Sequence, residues 1–191
     1  MAIKKTIANK STVNKTAAAK SIANYKLIEG ITSADYAYEI TGNNLSELFE
    51  NAALALTSAM VKLDTINPKT RKAINLKAAT VDKLLYDFLD EVLFIKDTDN
   101  FLSAKVKAEV KLPSQKDKTY KVNAILFGEE IDQVKHKLGN DVKAITYHNF
   151  SVKQETGQKV NKKGEGKEKK ENAKEKSDKS NYWVARVVLD V

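Results

Sequence analysis

Carboxylates are the residues of this chain whose types and placing could do chemistry. Asp35 opens the alternating stretch "DYAYEI", and Asp190 closes the apolar stretch "YWVARVVLD" one residue before Val191. Hard divalent cations such as Ca2+ or Mg2+ gather several oxygen ligands, and main-chain or terminal carboxylate oxygens serve beside side chains. If the last strand ran beside the one holding Asp35, one end of a sheet would collect Asp35, Asp190 and the Val191 carboxylate. From spacing alone a second reading stands next to it, in which strand-end aspartates are simply solvated. A further acidic group lies in "GEEIDQVKHKLGNDVK", which carries Glu129, Glu130, Asp132 and Asp141 together with His136.

Other chemistries find little support. There is no GxGxxG, no P-loop and no nucleophile elbow. The chain has no cysteine, which removes disulfides, thiolate catalysis and Cys-ligated zinc, and fits an intracellular protein. His136 and His148 are the only histidines. His136 falls in the polar loop, and His148 shares a strand face with Ala144, Thr146 and Phe150, so it reads as a half-buried polar residue. Neither is expected to be a metal ligand or a general base.

The elements that must hold these residues follow from apolar spacing. Tyr36, Tyr38 and Ile40 fall on one face of 34–40 and Asp35, Ala37 and Glu39 on the other, which is strand spacing, and Gly42 and Asn43 supply a turn. Leu45, Leu48, Phe49, Ala52, Ala53, Leu56, Ala59 and Met60 recur at helical intervals and predict an amphipathic helix over 45–61. Asn44 caps it, with Glu47 three residues on. Thr80 caps a second helix over 81–96, striped by Leu84, Leu85, Phe88, Leu89, Val92 and Leu93. Strands are expected at 25–30, 70–78, 104–112, 120–127, 142–153 and 182–190. In 104–112 the inward set is Ala104, Val106, Ala108, Val110 and Leu112. The sum is a single α+β domain over 25–191, two helices packed on mostly antiparallel sheet.

Charge is unevenly placed. The formal net charge is +8, but residues 1–24 hold five lysines and no acid, and residues 157–180 hold nine lysines and five acids. The rest carries 19 bases against 20 acids, so the folded body is near neutral, which lowers the odds of a DNA-reading domain. Both stretches are low in apolar residues and are expected to be flexible, the first as an N-terminal extension and the second as an enlarged hairpin loop. The first lacks arginine and a continuous apolar run, so it fits neither a transit peptide nor a secretory signal. No apolar run reaches the length of a membrane span.

Several ordered blocks resemble one family. "SADYAYEITGNNLSELFENAALAL" is similar to the opening of archeases, where a Thr-Ala-Asp tripeptide starts a strand and "LEELFENAA" starts the first helix. The likeness continues through "DKLLYDFLDEVLFIKDTDNFL", "FGEEIDQVKHKLGNDVKAITYH" and the terminal "WVARVVLDV", about 25–156 and 181–191. Where the family usually reads Asp-His-Thr-Ala-Asp, this chain has Ile31, Thr32, Ser33, Ala34 and Asp35.

The resemblance implies a non-enzymatic activator of an RtcB-type RNA ligase, which joins a 3′-phosphate or 2′,3′-cyclic phosphate to a 5′-hydroxyl in tRNA splicing. Such an activator promotes ligase guanylylation and multiple turnover in the cytoplasm, and meets tRNA through the ligase. It also implies a divalent metal, Ca2+ first with Mg2+ or Mn2+ as alternatives, held by Asp35, Asp190 and Val191. The end of the chain on Val191 is then expected to matter, because its carboxylate is a ligand. Lys143 is the implied residue of partner activation. A different class stays open beside this one: a small RNA-binding module or RNA chaperone using the lysines of 1–20 and 159–179 in salt-sensitive, sequence-blind binding. Interleaved acids and the lack of aromatics in the insertion favour a solvated loop there. Lys105 and Lys107 read as solvated strand lysines.

Overall fold

Two tight local devices set the first helix on its strand. In the computed structural model, which describes residues 24–28, 35–158 and 179–191, β1 (Tyr25–Ile28) pairs with β2 (Asp35–Gly42), and α1 (Leu45–Met60) follows at once. A Cβ on Gly42 would lie 2.4 Å from the Leu48 main-chain nitrogen, so only glycine lets the strand end this close to the helix. Asn44 Oδ1 accepts from the Glu47 N–H at 3.0 Å. Glu47 reaches back to the N–H of Asn43 rather than of Asn44, again at 3.0 Å, a capping box displaced by one residue.

α1 is buried on nearly all sides, and its two polar interior groups are satisfied. Asn51 donates to the Thr41 carbonyl at 2.8 Å, and Thr57 bonds the Ala53 carbonyl at 3.0 Å and the Ser103 hydroxyl at 3.1 Å, as buried polar atoms require. A short 3-10 helix (Leu63–Thr65) leads to β3 (Thr70–Ala78) and then to α2 (Val81–Asp99). α2 runs three residues past its expected end because Asn100 closes it in the left-handed conformation, φ 47°. β4 (Phe101–Lys111), β5 (Tyr120–Glu130), β6 (Ala144–Gln158) and β7 (Lys179–Asp190) complete the chain.

The strands form two antiparallel sheets, ordered β1-β2-β7-β6 and β3-β5-β4. α1 packs on β1, β2 and β7 of the first and on β4 of the second; α2 packs on β3, β4 and β5 of the second and on β6 of the first. The helices thereby join both sheets into one core, with Phe49, Leu56, Phe88, Leu89, Leu126 and Leu189 fully buried. Each helix also covers a sheet edge, where free N–H groups are a liability. Ser46 and Glu50 of α1 accept from Val110 and Ala108 of β4. Asp82 of α2 accepts from Val152 of β6, and Tyr86 donates to the Ile145 carbonyl.

Several expectations need correction. β4 starts at Phe101, and its register shifts between Ser103 and Lys105, so Ala104 is the extra residue of a bulge. Leu112 lies one residue past the strand and is 64% exposed. β6 shifts register between Thr146 and Ser151, with Asn149 at φ 57°; that bulge throws His148 into solvent instead of leaving it half-buried. β6 and β7 pair as far as Gln158 and Lys179, so the hairpin extends into both ends of the lysine-rich insertion. Residues 159–178, like 1–23 and 29–34, lie outside the described residues. Among the described residues no helix is long and apolar enough to cross a membrane.

Candidate functional site

Burial sets the register of β2 against β7. Tyr36, Tyr38 and Ile40 oppose Leu189, Val187 and Ala185, and those three β7 side chains are almost entirely buried. A slip of one residue would turn the set to solvent. With the register so held, Asp35 is the partner of Asp190. On its other side Asp190 pairs with Ala144, the first residue of β6, and the Lys143 N–H donates to the Asp190 carbonyl at 2.9 Å. Asp35, Lys143, Asp190 and Val191 therefore meet at one end of the first sheet. Asp190 and Lys143 are exposed, and Val191 packs partly against the core.

Lys143 is the last residue of a strap pinned from both sides. Val142 is 1% exposed and sits in the core. Asp141 is bonded at 2.9 Å by Lys96 of α2, which also holds Asp97 at 2.8 Å. The Lys96 ammonium keeps the Asp141 carboxyl below its ordinary range, and the charge of Lys143 adds to the effect.

The residues fit a hard cation in type. Asp35 and Asp190 offer oxygen alone. Thr146, opposite the buried Val188 two residues in from Asp190, has a buried hydroxyl oxygen with no hydrogen-bond partner among the described residues.

The model of the Archease protein family (MTH1598/TM1083) matches residues 25–191. The chain belongs to the archease family. A protein archease of Methanothermobacter thermautotrophicus is 34% identical over 125 residues, 65% of this chain and 86% of its own length. One of Pyrococcus furiosus is 33% identical over 120 residues, 63% of this chain and 82% of its own. The solution structure of Methanobacterium thermoautotrophicum protein 1598 aligns with a TM-score of 0.61 at 27% identity, over 89% of this chain and 100% of that one. The two-helix, antiparallel α+β fold is thus shared.

In this archease-family chain the acidic loop is spent on structure. Glu129, at the end of β5, is buried and receives Lys135, Lys69 at 2.8 Å and the Asn67 N–H at 2.7 Å. Lys135 above all, then Lys69 and Asn67, hold its carboxyl well below the usual range against the cost of burial, with His136 adding to them. His136 is not in solvent but 1% exposed. Its Nδ1 accepts from the Asp132 N–H at 2.9 Å, so Nε2 carries the proton and donates to Glu129 at 3.1 Å. Asp132 accepts from the N–H groups of Val134 and Lys135. Among the described residues no three His, Asp or Glu side chains gather at a point. Sequence reasoning missed this inward turn of His136 and also the strap. Glu129 seven residues before His136 was the available signal for the first, and nothing local signalled Lys96 across α2.

Proposed function

We propose that this archease-family protein is a non-enzymatic, metal-binding activator of an RtcB-type RNA ligase in tRNA splicing, acting in the cytoplasm. It would promote ligase guanylylation and multiple turnover and meet tRNA through the ligase. The observation that carries the reading is the β2–β7 register, which opposes Asp35 to Asp190 and places Lys143 on the adjoining strap. Like charges directly opposite one another destabilise a sheet, and a divalent cation offsets that cost. Asp35, Asp190 and the Val191 carboxylate are the proposed ligands, an all-oxygen set suited to a hard cation, Ca2+ first with Mg2+ or Mn2+ as alternatives. The bound cation supplies a fixed positive charge at the sheet end. Lys143 presents an ammonium beside it, suited to a phosphate or to the nucleotide pocket of the ligase.

The test is ligase turnover with and without this protein. Lys143→Ala is expected to abolish activation while changing stability by no more than about 0.5 kcal/mol. Lys62→Ala, at an exposed lysine outside the site, is expected to activate normally. Equal behaviour of the two variants would remove Lys143 from the mechanism.

A further inference from the structure

The second sheet turns one face to the core and the other to solvent, and the solvent face carries nearly one sign of charge. Ile74, Val106, Val122, Ala124 and Leu126 point inward and are buried. Between them stand Arg71, Lys77, Lys105, Lys107, Lys111 and Lys121, all exposed. The one exposed acid on that alternation is Glu109; Glu129, two residues past Phe127, shares it but is buried against Lys69 and Lys135. Each of these lysines reads singly as a solvated strand residue. Their register makes them a pattern.

Lys77, Lys121 and Lys111 oppose one another directly across the three strands. Like charges so placed destabilise a sheet, and an anion laid across them would relieve it. A second row holds Arg71, Phe127 and Lys105, with the Lys105 ammonium 5.9 Å from the Phe127 ring centre. Asn75 and Asn123 face each other between the rows. Internal partners neutralise only part of this charge: Glu109 lies 3.5 Å from Lys111, Glu50 3.8 Å from Lys107 and Asp117 2.7 Å from Lys121. Arg71, Lys77 and Lys105 form no ion pair among the described residues.

We infer that this face binds the phosphate backbone of single-stranded nucleic acid, with a base laid on Phe127. Same-face neighbours along a strand stand roughly 6.6 Å apart and adjacent strands about 4.8 Å apart. The basic groups thus form a grid about 20 Å long, enough for several successive phosphates. One aromatic ring flanked by two cations, with amide groups nearby, suits stacking and backbone contact. A bilayer surface would ask for a broader apolar face than Phe127 and the 37% exposed Ile125 provide. The inference is independent of ligase activation, since the face belongs to the other sheet and its test contains no ligase.

The test is fluorescence anisotropy of a labelled, unstructured single-stranded RNA of about 20 nucleotides, titrated with the full chain across a range of salt. Each phosphate contact on a single strand contributes about −0.7 to the slope of log K against log salt. The combined variant Lys77→Gln, Lys111→Gln and Lys121→Gln is expected to flatten the slope by about 2 and to weaken binding roughly a hundredfold near 0.1 M salt. Phe127→Leu is expected to weaken binding about tenfold with the slope unchanged. Thermal unfolding of both variants checks that the sheet persists. An unchanged slope in the triple variant would overturn the inference. So would loss of binding only when Lys162, Lys163 and Lys167 of the insertion are replaced, which would assign binding there. Tighter binding to phosphatidylserine vesicles than to RNA, lost in the triple variant, would overturn it in favour of a membrane.

Discussion

Replacing Asp190 by asparagine should change the stability of the protein in opposite directions with and without a divalent cation. The register opposes Asp35 and Asp190 directly, and opposed residues have Cβ atoms about 4.5–5.5 Å apart. Two unit charges about 6 Å apart repel by about 0.7 kcal/mol in bulk water and about 3 kcal/mol at an effective dielectric constant near 20. Asp190 is exposed and salt screens such pairs, so the low end applies, about 1 kcal/mol. Asp190→Asn keeps the shape and removes the repulsion. In chelator the variant should therefore melt above the natural sequence, by about 2–4 °C for a chain of this size. A cation at about a hundred times its Kd stabilises the natural sequence by about 2.7 kcal/mol, or about 5–10 °C. The variant should gain much less, so the order of melting temperatures reverses. Circular dichroism melts in EDTA and then in Ca2+, Mg2+ or Mn2+ read both arms. The same difference between the two proteins in chelator and in every cation would refute the site.

Lys96→Met should cost only about 1 kcal/mol, because Asp97 and Asp141 are more than half exposed, yet it should impair ligase activation by freeing the strap before Lys143, and Lys96→Arg should restore it. Gly128→Ala should destabilise by about 3 kcal/mol in urea unfolding, since a Cβ there would lie 1.8 Å from the Leu102 carbonyl oxygen beside the β4 bulge. Acid should unfold the protein: Asp99, Asp117, Glu129, Asp132 and Asp141 all have carboxyls held below their ordinary values by lysines or N–H groups. Their contribution is complete above the unfolded carboxyl range near pH 4 and is lost as pH falls through the folded values. The urea midpoint should thus be flat between about pH 5 and 7 and fall below about 4, and a midpoint that held constant to about pH 2 would contradict these contacts.

Periodicity alone determined the elements of this protein. The helical spacing from Leu45 to Met60 and the alternation in β2, β3, β5 and β7 report which side of each segment avoids water, and that preference is local. The caps at Asn44 and Thr80 are local as well, since a side-chain oxygen reaches an N–H three residues on. The family likeness in "SADYAYEI", "VKAITYH" and "WVARVVLDV" named Asp35, Lys143 and Asp190 before any neighbour was known. Their meeting at one sheet end depended on which strand β7 joins, and burial of Leu189, Val187 and Ala185 decided that.

Tertiary structure alone decided the rest. A polar loop predicts a solvated histidine, yet His136 is buried because Glu129 and the Asp132 N–H satisfy both ring nitrogens. The bulge between Thr146 and Ser151 reversed His148 in the other direction. The near-neutral sum of the folded body concealed a sorted surface. α2 exposes Asp90, Asp97 and Asp99, while the outward face of β3-β5-β4 gathers six cations. Lys77, Lys111 and Lys121 lie far apart along the chain and become neighbours only through strand pairing. Net charge is a sum over the chain, but the field a partner meets depends on distance, and only the fold sets distance.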